Sequence, residues 1–344
     1  MPVAVLKTTP QTYMDDAAKQ FKLAGFNRLM DPKKRTVLKI NISWQEYFPS
    51  CSTSPWQMDA VLNILKDRGF KEIHPVENIT VVTDAYKGME TNKLNSVLSK
   101  YGLKFECLLE GGWEEMPPSK KFIFGKEDML LPSVIKNSQV IHLPTLKCHG
   151  HSVTTCSMKN AFGFLKTVRH HYHLHIHEIL VDLLRIQKEF CKSLFSFADG
   201  SIAMDGAGPR TGTPHVKNCI LAGGDMVAVD AVAAKIMGFD PMKIGYIKLA
   251  HDEGLGIGDI DQIDIVGEDI NRINFGFKSK KDPVIYFDRL LRATALEPLL
   301  FRTSFFRLVV FASDLYRNMW LKTRGRQHIK SIMKTEWGEL FRKY

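Results

Sequence analysis

Short apolar runs alternate with amphipathic segments along the first three quarters of the chain. Two β-branched runs, Thr36–Ile42 and Ser138–Leu143, are typical of buried strands. Further strands are predicted at Val3–Leu6, Glu72–Val76, Phe105–Leu109, Leu194–Ala198, Lys217–Ala222 and Ile263–Val266. This alternation predicts an α/β fold in which a mostly parallel sheet carries helices on both faces.

Residues with capping preferences mark several of the intervening helices. Ser54 is the predicted N-cap of a helix that starts at Pro55 and ends at Gly69. Asp225 is the predicted cap of another helix, which Gly238 ends. The remaining helices of this part are predicted at Gln11–Leu23, Asn92–Lys100 (capped by Thr91) and Met242–Asp252.

The alternation stops after about Gly267. The remainder predicts three helices, at Asp288–Glu297, Leu299–Lys322 and Gln327–Arg342. We therefore expect an α/β body at residues 1–267 and a helical C-terminal extension at residues 268–344. In a second interpretation, the body splits into two lobes near residues 111–135, where a loop rich in Gly and Pro begins at Gly111–Ser119.

Charge separates these two parts. Residues 1–270 carry 31 basic and 31 acidic side chains, whereas residues 271–344 carry 16 basic and 6 acidic ones. Arg302, Arg307 and Arg317 are interleaved with aromatic residues in the extension. Residues 284–342 are predicted to cover the body or form a homo-oligomer contact, or alternatively to rest weakly on an anionic membrane. No recognised motif accompanies the charge, so no specific nucleic-acid partner is expected.

The composition is that of an ordinary folded protein, with 44% hydrophobic and 24% charged residues. No apolar run reaches the roughly 18 residues that span a bilayer, and the first residues do not resemble a signal peptide. A cytoplasmic location is therefore expected. The six cysteines are dispersed and form no C-x-x-C pair, so no iron–sulfur cluster is expected.

Unusual residues follow the carboxyl ends of predicted strands, where open α/β sheets bind ligands. Lys39 and Asn41 stand at the end of one such strand. A lysine in an apolar run needs a partner or a ligand if it is buried, although it can also point to solvent. Thr53 precedes a helix start whose hydroxyls and amides suit an anion, and plain capping explains the same residues.

The loop Leu146–Cys156 brings Lys147, His149 and His151 close together along the chain. Such spacing allows His and Cys side chains to converge on a metal, although a complete zinc site needs further ligands. We therefore expect a functional role for His149.

Eight of the twelve histidines fall between His142 and His177. If the run HHYHLHIH opens a helix, His173 and His177 lie four residues apart on one face and can share a divalent metal. A hydrated polar face at a helix start explains the same run without a metal.

Two further groups of residues in the body favour an anion. Lys159 and Asn160 offer a cation and an amide that can orient a carboxylate or a phosphate. The segment Asp199–Pro214 contains Arg210 and several glycines, which let a backbone approach a ligand closely. It is not a dinucleotide fingerprint, because the glycines lead into a strand instead of a helix. A flexible hairpin-like loop is the alternative.

Taken in order, these segments resemble the family called domain of unknown function 362. The matching positions run from about Val3 to Gly267. They are Lys39 and Asn41; Thr53, Ser54 and Pro55; Leu143, Pro144, Lys147 and His149; Lys159, Asn160 and Gly163; Asp199, Gly200, Gly206, Gly208 and Pro209; and Ala228, Val229 and Asp230. The resemblance implies an α/β domain whose activity is generally unassigned.

The resemblance has two further implications. Many members carry a four-cysteine iron–sulfur module, which this chain lacks. The family pattern is also distantly similar to the nickel-pincer-dependent lactate racemases, which use lysine and histidines around a metal cofactor. That similarity is an analogy at the level of the fold.

These observations predict a cytoplasmic enzyme that acts on a small carboxylate or phosphate, with metal-assisted isomerase or lyase chemistry as the best fit. Candidate catalytic residues are Lys39, Lys147, His149 and Asp199. Candidate substrate-binding residues are Asn41, Thr53, Lys159, Asn160, Gly206, Gly208 and Arg210. Candidate ligands for a divalent transition metal are His149, His151, His173 and His177.

Two alternatives stay open beside the enzyme. One is a non-catalytic metal- or cofactor-handling protein that uses the His-rich segment. The other is a peripheral membrane or partner-docking protein that acts through the basic extension.

Overall fold

The structure is a computed structural model of the 344-residue chain. It describes every residue except 81, 117–121, 124–128, 167–168, 293, 295–296, 302 and 304, together with the side chains of 169–171, 289 and 297–298. Arg302, the side chains of His170 and His171 and ten of the 25 residues of the proposed lobe boundary at 111–135 therefore lie outside the described part of the chain.

The described strands form one large sheet and a separate hairpin. The large sheet has the order β12-β1-β11-β10-β7-β2-β3-β4, and β8 and β9 extend it beside β10; β5 pairs with β6. The strands are β1 (Val3–Lys7), β2 (Thr36–Lys39), β3 (Ile73–Glu77), β4 (Glu106–Cys107), β5 (Trp113–Met116), β6 (Met129–Pro132), β7 (Gln139–His142), β8 (Thr145–His149), β9 (Val153–Thr155), β10 (Ser193–Asp205), β11 (Thr213–Gly223) and β12 (Ile265–Gly267).

Most neighbouring strands of the large sheet run parallel. β4, β3, β2, β7 and β10 form a continuous parallel series, and antiparallel pairing is described at β11 and at the β8–β9 hairpin. The carboxyl ends of β2, β3 and β7 consequently meet at one edge of the sheet. The predicted α/β fold with a mostly parallel sheet is confirmed.

Helices cover both faces of this sheet and make up the end of the chain. They are α1 (Tyr13–Leu23), α2 (Phe26–Leu29), α3 (Pro55–Asp67), α4 (Ala85–Thr91), α5 (Leu94–Lys100), α6 (Ser157–Asn160), α7 (Ile176–Phe190), α8 (Met226–Met237), α9 (Gly245–Asp252), α10 (Pro283–Arg292), α11 (Glu297–Phe301), α12 (Phe306–Trp320), α13 (Arg326–Ile332) and α14 (Glu336–Lys343). Within the described residues, no helix combines the length and apolarity needed to cross a membrane.

Two of the three predicted caps are confirmed. Ser54 Oγ accepts a hydrogen bond from the Gln57 amide, and Asp225 accepts two amides at the start of α8. The cap at Thr91 is wrong, because Thr91 lies at the end of α4 and its hydroxyl donates to the Gln45 carbonyl.

Three predicted loops contain strands instead. The segment after Gly111 contains β5, Leu146–Cys156 forms most of the β8–β9 hairpin, and Asp199–Pro214 prolongs β10 as far as Asp205 before β11 begins. The reason is tertiary pairing: β10 is held between β8 and β11, so Gly200 and the polar residues around it enter a ladder despite weak strand propensity.

Alternating residues of the central strands feed two apolar layers. Val37 and Val140 face the layer under α7, α8 and α9, while Leu38 and Ile141 face the layer under α1, α3 and α5. This is the period-two pattern expected of strands covered on both faces.

The end of the extension packs on the body. Trp337 of α14 is 2% exposed, lies edge-on to Tyr13 with 5.7 Å between ring centroids and contacts Trp56. Its indole N–H donates to Asn218 Oδ1 over 2.7 Å. Tyr344 donates to Asp59 of α3. The sequence left open whether the extension covers the body, forms an oligomer contact or rests on a membrane. α14 covers the body.

Replacing this anchor tests the docking energy. We expect Trp337→Ala to lower the free energy of unfolding by about 3–5 kcal/mol, because a buried indole leaves a cavity when removed. Met319→Ala, at a side chain that is 61% exposed, is the control and should change stability by about 0.5 kcal/mol or less. Urea unfolding followed by circular dichroism measures both, and equal losses would contradict the docking role.

Candidate functional site

A cavity of about 170 Å³ lies at the carboxyl edge of the sheet, where β2 and β3 end. The β8–β9 hairpin, α6 and the loop between β10 and β11 complete its wall. The polar members of its lining are Lys39, Asn41, Ser43, Glu77, Thr80, Thr83, His149, His151, Lys159, Asn160, His173 and Arg210. Eight candidates from the sequence thus line one cavity together with Glu77, Ser43 and Thr83.

A buried ion pair closes the end of β2 and β3. Lys39 is fully buried, and its ammonium donates to Glu77 Oε1 and to the Ile40 carbonyl, each over 2.7 Å. Glu77 also accepts backbone amides, from Asn78 at Oε1 and from Ile42 at Oε2. Charge and hydrogen bonds are satisfied together, which is the condition for burying such a pair.

Gly163 and Asn160 seal this pair from one side. A Cβ at Gly163 would lie 2.6 Å from Lys39 Nζ and 2.8 Å from Glu77 Oε1, so no side chain fits there. Asn160 is 3% exposed, and its amide Nδ2 donates to the Lys39 carbonyl over 2.8 Å. Its Oδ1 is buried with no hydrogen-bond partner among the described residues, which leaves it able to accept from a ligand.

The local backbone determines the tautomer of His149. Its Nδ1 accepts hydrogen bonds from the His151 and Ser152 amides, over 3.1 and 3.3 Å. A neutral imidazole has one proton, so that proton lies on Nε2. Burial first, and then the charge of Lys159, holds the pKa of His149 well below its usual range. His149 therefore presents a neutral N–H donor.

Lys147 lies beneath the cavity floor. Its ammonium donates to Asn41 Oδ1 over 2.6 Å, to Ser43 Oγ over 3.0 Å and to the Cys51 carbonyl over 2.5 Å. All three acceptors are neutral, and burial lowers the pKa of Lys147 to about 8. Lys147 does not line the cavity itself, but it orients two residues that do, Asn41 and Ser43.

Arg210 enters the cavity from the loop between β10 and β11. Its Nε donates to the Ser43 carbonyl over 2.7 Å, and Nη2 donates to Thr83 Oγ1 over 2.8 Å. Nη1 is buried and has no acceptor among the described residues. Burial, followed by the charge of Arg317, lowers the pKa of Arg210 to about 9. A buried guanidinium in this state is ready to take an anionic oxygen.

Residues 36–235 match the family described as domain of unknown function (DUF362). The chain belongs to this family. It is also similar to a thylakoid-associated protein, sll1697, of Synechocystis sp., with 24% identity over 241 residues that cover 68% of this chain and 72% of that protein. No solved structure matches it. The similarity to lactate racemases stays a prediction.

The DUF362 region contains every residue of the cavity lining except Ile285, which belongs to the extension. The family motifs also supply support behind the cavity. Asp230 is fully buried, and its carboxylate accepts the Ser157 and Met158 amides at the start of α6, the helix that carries Lys159 and Asn160. Burial raises the pKa of Asp230 to about 7.

Other candidates of the DUF362 pattern support the site from outside the cavity. Asp199 accepts from Ser54 Oγ over 2.6 Å and from the Trp56 indole over 3.0 Å, so it braces the start of α3. Thr53 Oγ1 accepts the Asn41 amide and donates to the Leu143 carbonyl. These contacts place both side chains in the framework that positions Asn41.

The two loop glycines also act through the backbone. Gly206 has a φ of 84°, which favours glycine. A Cβ at Gly208 would lie 1.9 Å from the Cys148 carbonyl oxygen, so the loop that carries Arg210 can lie against β8 only with glycine there.

Three of the four predicted metal ligands, His149, His151 and His173, line the same cavity, but the four do not form a metal site within the described residues. His151 stacks on His173 with 4.9 Å between centroids, and His149 uses Nδ1 for backbone amides. His177 lies elsewhere, where its Nδ1 accepts the Tyr246 amide. The described residues contain no group of three or more His, Cys, Asp or Glu able to hold a metal.

The predicted pairing of His173 with His177 is wrong for a geometric reason. Residues Arg169–His175 form a 3₁₀ helix, and the α-helix α7 begins only at Ile176. With three residues per turn, positions four apart no longer share a face. The two rings consequently point to different neighbours, Phe162 and Tyr246.

Sequence reasoning missed Glu77, Ser43 and Thr83. Glu77 could have been found, because an acidic residue ends the strand that neighbours Lys39 in a parallel sheet. Ser43 and Thr83 carry no such signal, since their contacts with Arg210 span more than a hundred residues of sequence.

The buried amine of Lys147 should be visible in the pH dependence of stability. Its folded-state pKa of about 8 lies below the ordinary value of 10.5, so the unfolded chain binds more protons between these pH values. The contribution of Lys147 is then fully present above pH 10.5 and is lost as the pH falls through 8. Stability should rise with pH across this window, by about 3 kcal/mol for this group.

Denaturant unfolding at several pH values measures this rise. Lys147→Met should lack it, whereas Lys19→Met, at an exposed position of α1, should retain it. An unchanged profile in Lys147→Met would show that the amine does not titrate in this way.

Proposed function

We propose that the protein is an enzyme that acts on a small carboxylate or phosphate held in the cavity. The observation that carries this proposal is Arg210, a buried guanidinium whose Nη1 lacks an acceptor among the described residues. Such a group costs free energy when empty and binds a carboxylate or phosphate oxygen with a strong, charge-assisted hydrogen bond.

The charge of the lining supports the same substrate class. Lys39 is balanced by Glu77, which is the one acidic residue in the described lining. Arg210 then leaves an excess of positive charge, and Lys147 adds to it from below when protonated. An anion is therefore the ligand that this cavity attracts and selects.

The reaction proposed is proton abstraction beside the bound anion, as in an isomerase or a lyase. Among the described residues Glu77 accepts three hydrogen bonds, fewer than the four that a carboxylate can take, so it is the group we propose as the base. The Nε2–H of His149 is the donor suited to a developing oxyanion, because a neutral imidazole polarises a carbonyl without delivering its proton.

The affinity for inorganic phosphate and acetate tests the role of Arg210. We expect Arg210→Gln to weaken binding roughly 10- to 150-fold, which corresponds to losing a charge-assisted hydrogen bond of about 1.5–3 kcal/mol. Arg272→Gln makes the same change at a side chain that is 87% exposed and should bind as the unaltered protein does. Calorimetric titration measures both, and equal affinities would remove the basis of the proposal.

A second function is favoured by a separate observation. Large apolar side chains are exposed on α10 and α12, namely Tyr286, Phe287, Leu290, Leu308, Phe311, Leu315 and Met319. The relative from Synechocystis sp. is named as thylakoid-associated. We propose that this face, within a basic extension, rests on an anionic membrane surface, since apolar anchors and positive charge act together there.

Liposome flotation tests the membrane contact. Phe311→Glu combined with Leu315→Glu should reduce the fraction bound to vesicles of anionic lipid at low salt, because it removes two anchors and adds repulsion. Leu109→Glu changes an exposed leucine of the body and should leave binding unchanged. Binding that resists the double change would place the contact elsewhere.

A further inference from the structure

A second cavity of about 570 Å³ lies between the extension and the body. α10 and α12 supply most of its wall, with apolar side chains such as Val284, Leu291, Phe306 and Val309. A volume between about 300 and 1,000 Å³ is typical of a small-molecule site, and a mainly apolar wall suits a hydrocarbon. We call this space the apolar chamber.

The apolar chamber shares part of its wall with the cavity that Lys39 and Arg210 line, which we call the anion cavity. Val82, His151, His173 and Ile285 line both. Ile285 of α10 lies directly against the β8–β9 turn, since a Cβ at Gly150 would be 2.4 Å from its Cδ1. The two spaces therefore meet along the stacked pair His151 and His173.

Hydrogen bonds hold α10 in this position. Ser279 Oγ donates to the His149 carbonyl over 3.1 Å, and Asp282 accepts from Thr211 Oγ1 over 2.8 Å, both just before the helix begins. Asp282 also accepts the Ile285 amide in the first turn. The loops that form the anion cavity thus determine where the apolar chamber lies.

We propose that the substrate is an amphiphilic anion, with its carboxylate or phosphate in the anion cavity and an aliphatic or isoprenoid chain in the apolar chamber. This inference rests on the function proposed above and names the substrate class of the same site. The occupant is a chain attached to the bound anion because the apolar space adjoins the cationic one. A free hydrocarbon would leave Arg210 without an acceptor.

The extension would then determine which anionic ligand binds in the DUF362 region of this chain. Every cavity residue except Ile285 lies within residues 36–235, whereas α10 and α12 lie outside them. The anion cavity is therefore a feature of the family region, and the apolar chamber is built by the segment that follows it. Substrate length is the property that such a chamber selects.

Titration of the full chain with alkyl phosphates and alkyl carboxylates of one, six and ten carbons, below their micelle concentrations, tests the inference. We expect affinity to rise with chain length, up to roughly fourfold for each methylene that enters the chamber. Affinity that is independent of chain length, while the one-carbon compounds still bind, would overturn the apolar chamber and leave the proposed function intact. If none of the compounds binds, the proposed function fails and this inference fails with it.

Two variants of α12 test where the hydrocarbon chain of the ligand binds. Val309→Trp fills the apolar chamber and should abolish the gain with chain length while the affinity for the one-carbon compounds stays unchanged. Leu315→Trp places the same side chain on the same helix, at a residue that is 51% exposed and outside the chamber lining, and should retain the gain. A gain that survives Val309→Trp would place the chain elsewhere and overturn the assignment.

Discussion

The buried pair of Lys39 and Glu77 is the constraint on which the site depends. The two residues end neighbouring parallel strands, so their charges must be neutralised at the edge where ligands bind. Gly163 is required because a Cβ would strike both partners, and Asn160 is held by the backbone of Lys39. Lys159 and Arg210 are further cationic residues of the same lining.

Polar groups outside the cavity hold this arrangement in place. Asp230 caps the short helix that carries Lys159, and Asp199 braces the start of α3. Lys147 links Asn41 and Ser43 to the Cys51 carbonyl. Each of these buried groups is bound to several neighbours, which holds the lining rigid.

The C-terminal extension adds a different property to a DUF362 domain. One end is fastened by Trp337, while α10 and α12 enclose an apolar space beside the anion cavity and expose apolar side chains outward. An amphiphilic anion in the two cavities is compatible with a membrane contact at the exposed side chains, since such ligands concentrate in membranes. The DUF362 region would then bind the head group of the ligand, and the extension would bind its hydrocarbon chain.

The sequence by itself determined the α/β class, most strand positions, the caps at Ser54 and Asp225 and the cationic residues of the site, because periodicity and local chemistry are carried by neighbouring residues. It predicted His173 beside His177 and missed Glu77, Ser43 and Thr83. Only the tertiary structure decided where these residues lie. A 3₁₀ helix turns His173 away from His177, and Arg210 donates to Ser43 and Thr83, which are distant from it in sequence. The tertiary structure also decided the tautomer of His149, through backbone amides that no residue type reveals.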